Sequence, residues 1–353
     1  MPRRSAPVAA VLVAALALAG CAAVPSTVVD GSVFAVGLDA GFTGAGPATP
    51  AATSVDLGVG AATLSGFSYL TPDGARVADT GFGTAELLAE DPLTVRFTVS
   101  DGLVWSDGVG IDGVDLLLDW AARSAAFPDV PFGAVPDPAL RGATGVVLSD
   151  DRKSVTIEYA SADDAWMDAF RDPLPAHAIA ERALDSTSAE AAKDDVIAAV
   201  EAAEAGDTDE LDELAAAWAG AYADDPTELP ASGPYRIASI APDLVELVIN
   251  DRYEGPRSPS YERIEIHRVQ TPADAVQALG IGALDLVQVT WQEELRAALA
   301  RIGADRRELP VADDPALLVG WFHRDVDHID PAASGAGALW NPWAWSPYTL
   351  IEP

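Results

Sequence analysis

The chain has 353 residues, with 21 Lys and Arg against 55 Asp and Glu, a formal net charge of −34 and a 49% hydrophobic fraction. That length holds roughly two or three domains, and the apolar content is that of a globular chain rather than a disordered acidic one. The charge excludes a nucleic-acid surface and electrostatic attachment to anionic lipid, and one cysteine beside four histidines excludes a disulfide scaffold, a thiolate zinc site and an iron–sulfur cluster.

The amino terminus reads as a targeting segment. Arg3 and Arg4 form a positive n-region, and residues 7–18 are an apolar run shorter than the ~20 residues of a membrane span. The ending Leu18-Ala19-Gly20-Cys21 resembles a lipobox, the cleavage and lipidation site of bacterial lipoproteins. That resemblance implies a signal peptide over 1–20, a lipid on the thiol of Cys21 and a tether over 21–31. The chain would then sit on the outer face of the cytoplasmic membrane, anchored in the lipid bilayer.

Strands and helices mix through the rest, with no internal repeat. Residues 32–38 alternate, with Phe34, Val36 and Leu38 on one face of a strand. The Gly-, Ala-, Thr- and Pro-rich stretch 39–50 is expected to cross the surface as a loop. In 93–100, Leu93, Val95, Phe97 and Val99 point one way and Thr94, Arg96, Thr98 and Ser100 the other. Ser106-Asp107-Gly108 is a turn in which Asp107 bonds nearby backbone and Gly108 takes a positive φ, with Trp105 packed beneath it. Asp112 caps a helix over 115–126, with Asp115 at the favourable third position. A strand is expected at 154–159, and Ser161 is expected to cap a helix over 162–170 with Trp166 and Phe170 on one face. Residues 181–225, rich in acids and alanine, read as a helical excursion with a solvated acidic face. Further strands fall at 235–240, 245–250 and 263–269. Thr271-Pro272-Ala273-Asp274 then opens a helix with a cap, a first-turn proline and an acidic third residue.

No catalytic signature is present: no nucleophile elbow, phosphate loop or His-Glu-x-x-His. The segment 323–330 packs two histidines and three aspartates together, but its spacing fits no established metal loop. No metal, cofactor or catalytic residue is expected.

The run 93–120, LTVRFTVSDGLVWSDGVGIDGVDLLLDW, resembles the signature region of the family 5 extracellular solute-binding proteins, the peptide- and nickel-type receptors of ABC importers. Leu174-Pro175-Ala176-His177 is similar to that family's Leu-Pro-x-His turn. Ser232-Gly233-Pro234-Tyr235 and Asn250-Asp251-Arg252-Tyr253 are similar to its Gly-Pro-Tyr strand and Asn-x-x-Tyr corner. The stretch 275–286 resembles its next helix and strand, and 82–87 and 120–124 resemble its actinobacterial branch. These segments stand in the family's order and cover about 32–286. Ile281 stands where the family carries glycine, and the chain is short of a whole further lobe.

The resemblance implies an α/β fold: a two-lobed, periplasmic-binding-protein type II-like clamp with mixed sheets, its second lobe largely missing. Residues 32–42 and 232–302 would form lobe I, and 43–231 a small α/β domain carrying Trp105, Ser106, Asp107 and Gly108 as a structural motif. Gly233, Pro234 and Tyr235 would be structural too. Residues 303–353 would be the hinge and the start of lobe II, a poorly packed tail exposing Trp321, Trp340, Trp343 and Trp345. The implied function is that of a monomeric, non-enzymatic receptor handing peptides or a similar small solute to ABC permease subunits. The alternative is an envelope-assembly or regulatory lipoprotein of the same fold, acting in a glycolipid pathway. Ligand would meet loops at strand ends, at Gly41, Phe42 and Thr43 on one side and Thr290 and Trp291 on the other. A chain short of the second lobe is expected to bind peptide weakly or not at all.

Overall fold

A computed structural model describes residues 28–70, 76–160, 164–257, 259, 261–290, 295–302, 305–310 and 318–323. Cys21, Trp291, Trp340, Trp343 and Trp345 lie outside the described residues.

The chain opens with β1 (Val29–Leu38), α1 (Ser54–Thr63), β2 (Ser68–Leu70), β3 (Arg76–Ala78), β4 (Gly83–Glu90) and β5 (Leu93–Val99). It continues through α2 (Gly113–Arg123), β6 (Ala143–Leu148), β7 (Ser154–Tyr159), α3 (Ala176–Leu184), α4 (Ala189–Glu204) and α5 (Asp209–Ala219). Then come β8 (Tyr235–Ala241), β9 (Leu244–Ile249), β10 (Tyr261–Arg268), α6 (Pro272–Gly280) and β11 (Leu286–Thr290). The last described elements are α7 (Leu295–Ile302), β12 (Asp305–Pro310) and β13 (Leu318–His323).

The large sheet runs β12-β13-β11-β1-β10-β9-β8 and the small one β4-β5-β7-β6, while β2 and β3 pair as a separate two-stranded ribbon. β1 is parallel to both β10 and β11, and the other neighbours in the large sheet pair antiparallel. The alternation in β1 divides two cores. Phe34, Val36 and Leu38 are fully buried in the main core with Val55 and Val59 of α1. Ala35 points the other way, into a second core built by α6 and α7 with Val287 of β11. Gly37 shares that second face, where a Cβ would lie 2.6 Å from Leu284 Cδ1 and 3.2 Å from Val287 Cγ1, so a larger residue would push those side chains aside.

The small sheet follows the same logic. Leu93, Val95, Phe97 and Val99 of β5 are buried, as are Val155 and Ile157 of β7. β4 shows no alternation and is exposed over residues 84–88. It exists because β5 supplies a pairing edge, which its own pattern does not announce. α2 begins with a capping box: Asp112 accepts from Val114 N–H while Asp115 accepts from Asp112 N–H.

Residues 176–219 form three helices, with Ile179, Val196, Leu211, Leu214 and Trp218 buried inside. Lys193 of α4 is buried as well. Its ammonium donates to Asp112 Oδ1 at 2.9 Å, Asp115 Oδ2 at 3.1 Å and Gly110 O at 2.8 Å, tying the excursion to the start of α2.

Three expectations are corrected. The helix expected over 162–170 is a 3-10 turn at Asp164–Asp168, and Phe170 has a left-handed φ of 55°. Asp172 and Leu174 each precede a proline, which disfavours helical backbone at those two positions and keeps any helix from continuing past Phe170. Trp166 and Phe170 still meet the same partner, with ring centroids 6.5 and 5.0 Å from that of Phe97. The stretch 39–50 is no simple surface loop: Gly44, at φ 75°, is buried against the backbone of Tyr222 and Ala223. Residues 305–310 and 318–323, assigned on sequence to a hinge and a loose tail, are paired strands of the large sheet. Trp321 stands opposite Gln288 on one side and Arg307 on the other. Pairing with β11 satisfies backbone groups that β11 would otherwise leave open on that side.

Candidate functional site

The residues singled out on sequence fall in two places. The first is a seam. The Trp-Ser-Asp-Gly turn closes through Trp105 N–H to Val109 O at 2.8 Å, Gly108 N–H to Trp105 O at 2.9 Å and Val109 N–H to Asp107 Oδ1 at 3.0 Å. Gly108 has a φ of 97°, the conformation such a turn requires of glycine. Trp105 is fully buried beneath it.

Ser106 then reaches across 125 residues of sequence: its N–H donates to Ala231 O at 2.8 Å, and its hydroxyl accepts from Ala231 N–H at 2.9 Å. Asp107 Oδ2 accepts from His177 Nε2 at 2.8 Å. On the other side, Ser232 and Gly233 donate their N–H groups to Thr63 O at 3.0 and 2.8 Å. A Cβ on Gly233 would stand 2.7 Å from Ala62 O, so the backbone of α1 leaves room for nothing larger. Asn250 Nδ2 donates to Gly233 O at 2.9 Å, its N–H donates to Pro234 O at 2.9 Å, and Tyr235 donates its hydroxyl to Tyr261 O at 3.0 Å. These bonds join the small sheet, the helices and the large sheet in one closed network. It has the form of a joint rather than of an open ligand site.

The second place is the edge where the three parallel strands end. Leu38 is level with Arg268 of β10 and Gln288 of β11, so the chain leaves all three strands at one rim. Gly41 and Phe42 lie there in a narrow pocket with Asp243, Arg268 and Val55. Gly41 lies under the Arg268 side chain, Cδ of which would be 3.2 Å from an added Cβ. Thr43 is used differently. Its N–H and hydroxyl donate to Asp56 Oδ1 at 3.0 Å and Oδ2 at 2.7 Å, while Thr53 donates its hydroxyl to Gly41 O at 3.0 Å. The N-terminus of α1 thus holds the 41–43 loop in place. Thr290 ends β11 at the same rim, and Trp291 lies outside the described residues.

Arg268 and Asp243 escaped sequence reasoning. Arg268 ends an unremarkable strand, and Asp243 sits in a turn; only the pairing of β10 with β9 brings them beside Phe42. Among the described residues, no group of three or more His, Cys, Asp or Glu is placed to hold a metal ion. Nor is any described helix long and apolar enough to cross a membrane.

Residues 84–304 match the family described as bacterial extracellular solute-binding proteins, family 5, middle region. The chain belongs to that family. The family 5 match takes in the Trp105–Gly108 turn, Gly233 to Tyr235 and the ends of β10 and β11, while Gly41, Phe42 and Thr43 precede it. A lipoprotein of Mycobacterium leprae is 30% identical over 294 residues, covering 79% of this chain and 48% of its own. A lipoprotein of Mycobacterium tuberculosis is 30% identical over 211 residues, covering 56% and 35%. Among solved structures, the periplasmic EDTA-binding protein EppA superposes with a TM-score of 0.62 at 20% identity, covering 79% of this chain and 48% of that one. The pheromone receptor PrgZ, solved for its mode of peptide binding, gives 0.56 at 15% identity, covering 79% and 51%. These likenesses establish the mixed α/β, periplasmic-binding-protein type II-like fold. The chain spans between about a third and a half of the length of the relatives and structures it matches.

Proposed function

We propose that the chain is a substrate-binding lipoprotein of an ABC importer, capturing peptides or a similar small solute outside the membrane for delivery to permease subunits. The single observation that carries this reading is the strand-end rim. In open α/β sheets ligands bind outside the carboxyl ends of parallel strands, and here three such ends meet beside Gly41, Phe42, Thr43 and Thr290. An aromatic wall, a glycine backbone and the opposite charges of Arg268 and Asp243 suit a main chain with ionised ends and variable side groups. Trp291, directly after β11, is the aromatic residue proposed for the facing wall. The receptor acts as a monomer, held to the bilayer through the lipid on Cys21.

The mycobacterial relatives are named lipoproteins, in keeping with the Cys21 assignment. A family described by solute binding also favours capture over turnover. Isothermal titration with a mixed peptide library tests the reading. Saturable binding that falls at least tenfold in Phe42→Ala and in Trp291→Ala is expected, and weak affinity follows if the facing lobe supplies most contacts. Binding untouched by the double variant would remove this rim from the site, and no peptide binding by either this chain or a full-length relative would overturn the receptor reading.

A further inference from the structure

Away from the strand-end rim, a cavity of about 370 Å³ opens between α1 and the β2 strand. That volume is within the range of small-molecule sites. One wall is apolar: Pro47 with Leu57, Ala61 and Leu64 along one side of α1. The opposite wall carries Ser68 and Asp79, which are only 3% and 2% exposed.

Those two side chains are unusual for a protein interior. The Ser68 hydroxyl is buried and has no hydrogen-bond partner, although native interiors pair nearly all such groups. Asp79 takes two backbone bonds, from Gly81 and Phe82 N–H at 3.1 Å each, and both fall on Oδ1. Burial pushes its carboxyl above the ordinary value, outweighing the Phe82 bond and the charge of Arg257. Arg257 itself is committed elsewhere, donating to Ala61 O at 2.9 Å, Leu64 O at 2.6 Å and Ser65 Oγ at 2.9 Å. Asp172, on the same rim, is held by Arg123 at 2.7 Å. What the Ser68–Asp79 wall asks for is therefore a hydrogen-bond donor, preferably a cationic one, attached to an aliphatic body.

We propose that this cavity is a second binding site, separate from the strand-end rim, for a small aliphatic amine. The ammonium group donates to Ser68 Oγ and to the Asp79 carboxylate, and the hydrocarbon lies along Leu57, Ala61 and Leu64. Arg171 and Arg257 also line the cavity, but a carboxylate head placed at Ser68 would face Asp79 with like charge and find the Ser68 hydroxyl as its donor on that wall. The site needs neither the importer role nor a facing lobe.

The test is isothermal titration of the full chain with 3-methylbutylamine, L-leucinamide and, as the carboxylate counterpart, 4-methylpentanoate. Both amines are expected to bind at one site per chain, and the carboxylate at least tenfold more weakly. Ser68→Ala should weaken amine binding at least tenfold while leaving the melting temperature unchanged or higher, since it removes an unsatisfied hydroxyl. Ala61→Phe, which fills the cavity, should abolish it, and Phe42→Ala should leave it unaltered. Absence of saturable amine binding would overturn the proposal, as would equal affinity for the carboxylate. So would full affinity in Ser68→Ala, or loss of affinity in Phe42→Ala.

Discussion

His177 Nε2 and Asp107 Oδ2 stand 2.8 Å apart, bridging 70 residues of sequence and fastening the Trp-Ser-Asp-Gly turn to the first helix of the acidic excursion. Burial alone would raise the Asp107 carboxyl, but the bonds from His177 and Val109 N–H outweigh it and leave the group below its ordinary value. A depressed carboxylate stabilises the fold above its unfolded pKa of about 3.9, and that contribution is lost as pH falls through the folded value. Asp107→Asn should therefore melt below the parent protein from pH 5 to 8, with the gap closing below about pH 4. Thermal melts across that range check it; a gap constant down to pH 3 would show the pair contributes no charge-dependent stability.

Trp105 lies directly under this turn, its ring centroid 6.4 Å from that of His177 and its surface wholly covered. Truncation to alanine leaves a cavity that neighbouring backbone cannot fill. Trp105→Ala should cost about 3–5 kcal/mol in urea unfolding. A variant of parental stability with impaired ligand binding would make Trp105 a binding residue instead.

One buried guanidinium serves three carboxylates behind the small sheet. Arg123 lies 2.7 Å from Asp172, 3.1 Å from Asp137 and 3.3 Å from Asp119. Burial would raise Asp172, yet Arg123 draws it below its ordinary value. Asp119, farther from the same charge, is raised by burial to about 7 despite Arg123. Between about pH 4 and 7 the folded protein keeps a proton on Asp119 that the unfolded chain has lost, so stability falls as pH rises through that window. Asp119→Asn should flatten the slope. Arg123→Met, which strands the carboxylates, should cost about 3–5 kcal/mol at pH 7. Urea titrations at pH 4.5 and 8 measure both, and an identical pH slope in Asp119→Asn would refute the assignment.

The lipid assignment makes a fractionation prediction. Cys21→Ser should move the protein from the membrane fraction to the medium, because the proposed anchor attaches its acyl chains to that thiol. Unchanged fractionation would remove the anchor.

The sequence by itself determined those features whose physics is local. Strict alternation placed β1, β5 and β7, because side chains on a strand change faces at every residue. Capping residues placed α2 and α6, because a helix start needs an acceptor for its open N–H groups. The Ser-Asp-Gly turn and the family were legible for the same reason, as short motifs that keep their own geometry. Tertiary structure alone decided the rest. β4 has no alternation, and it forms a strand only on the edge that β5 offers. Phe170 takes a left-handed backbone and packs its ring on Phe97 where the local pattern pointed to a helix. Lys193 looks like a solvated cation among acids until α4 lies across α2 and buries it on Asp112 and Asp115. Arg268 reaches Phe42, and Ser68 loses every partner, through contacts between elements far apart in the chain. Such contacts depend on which faces meet when the sheets and helices close on one another, and no local pattern records that.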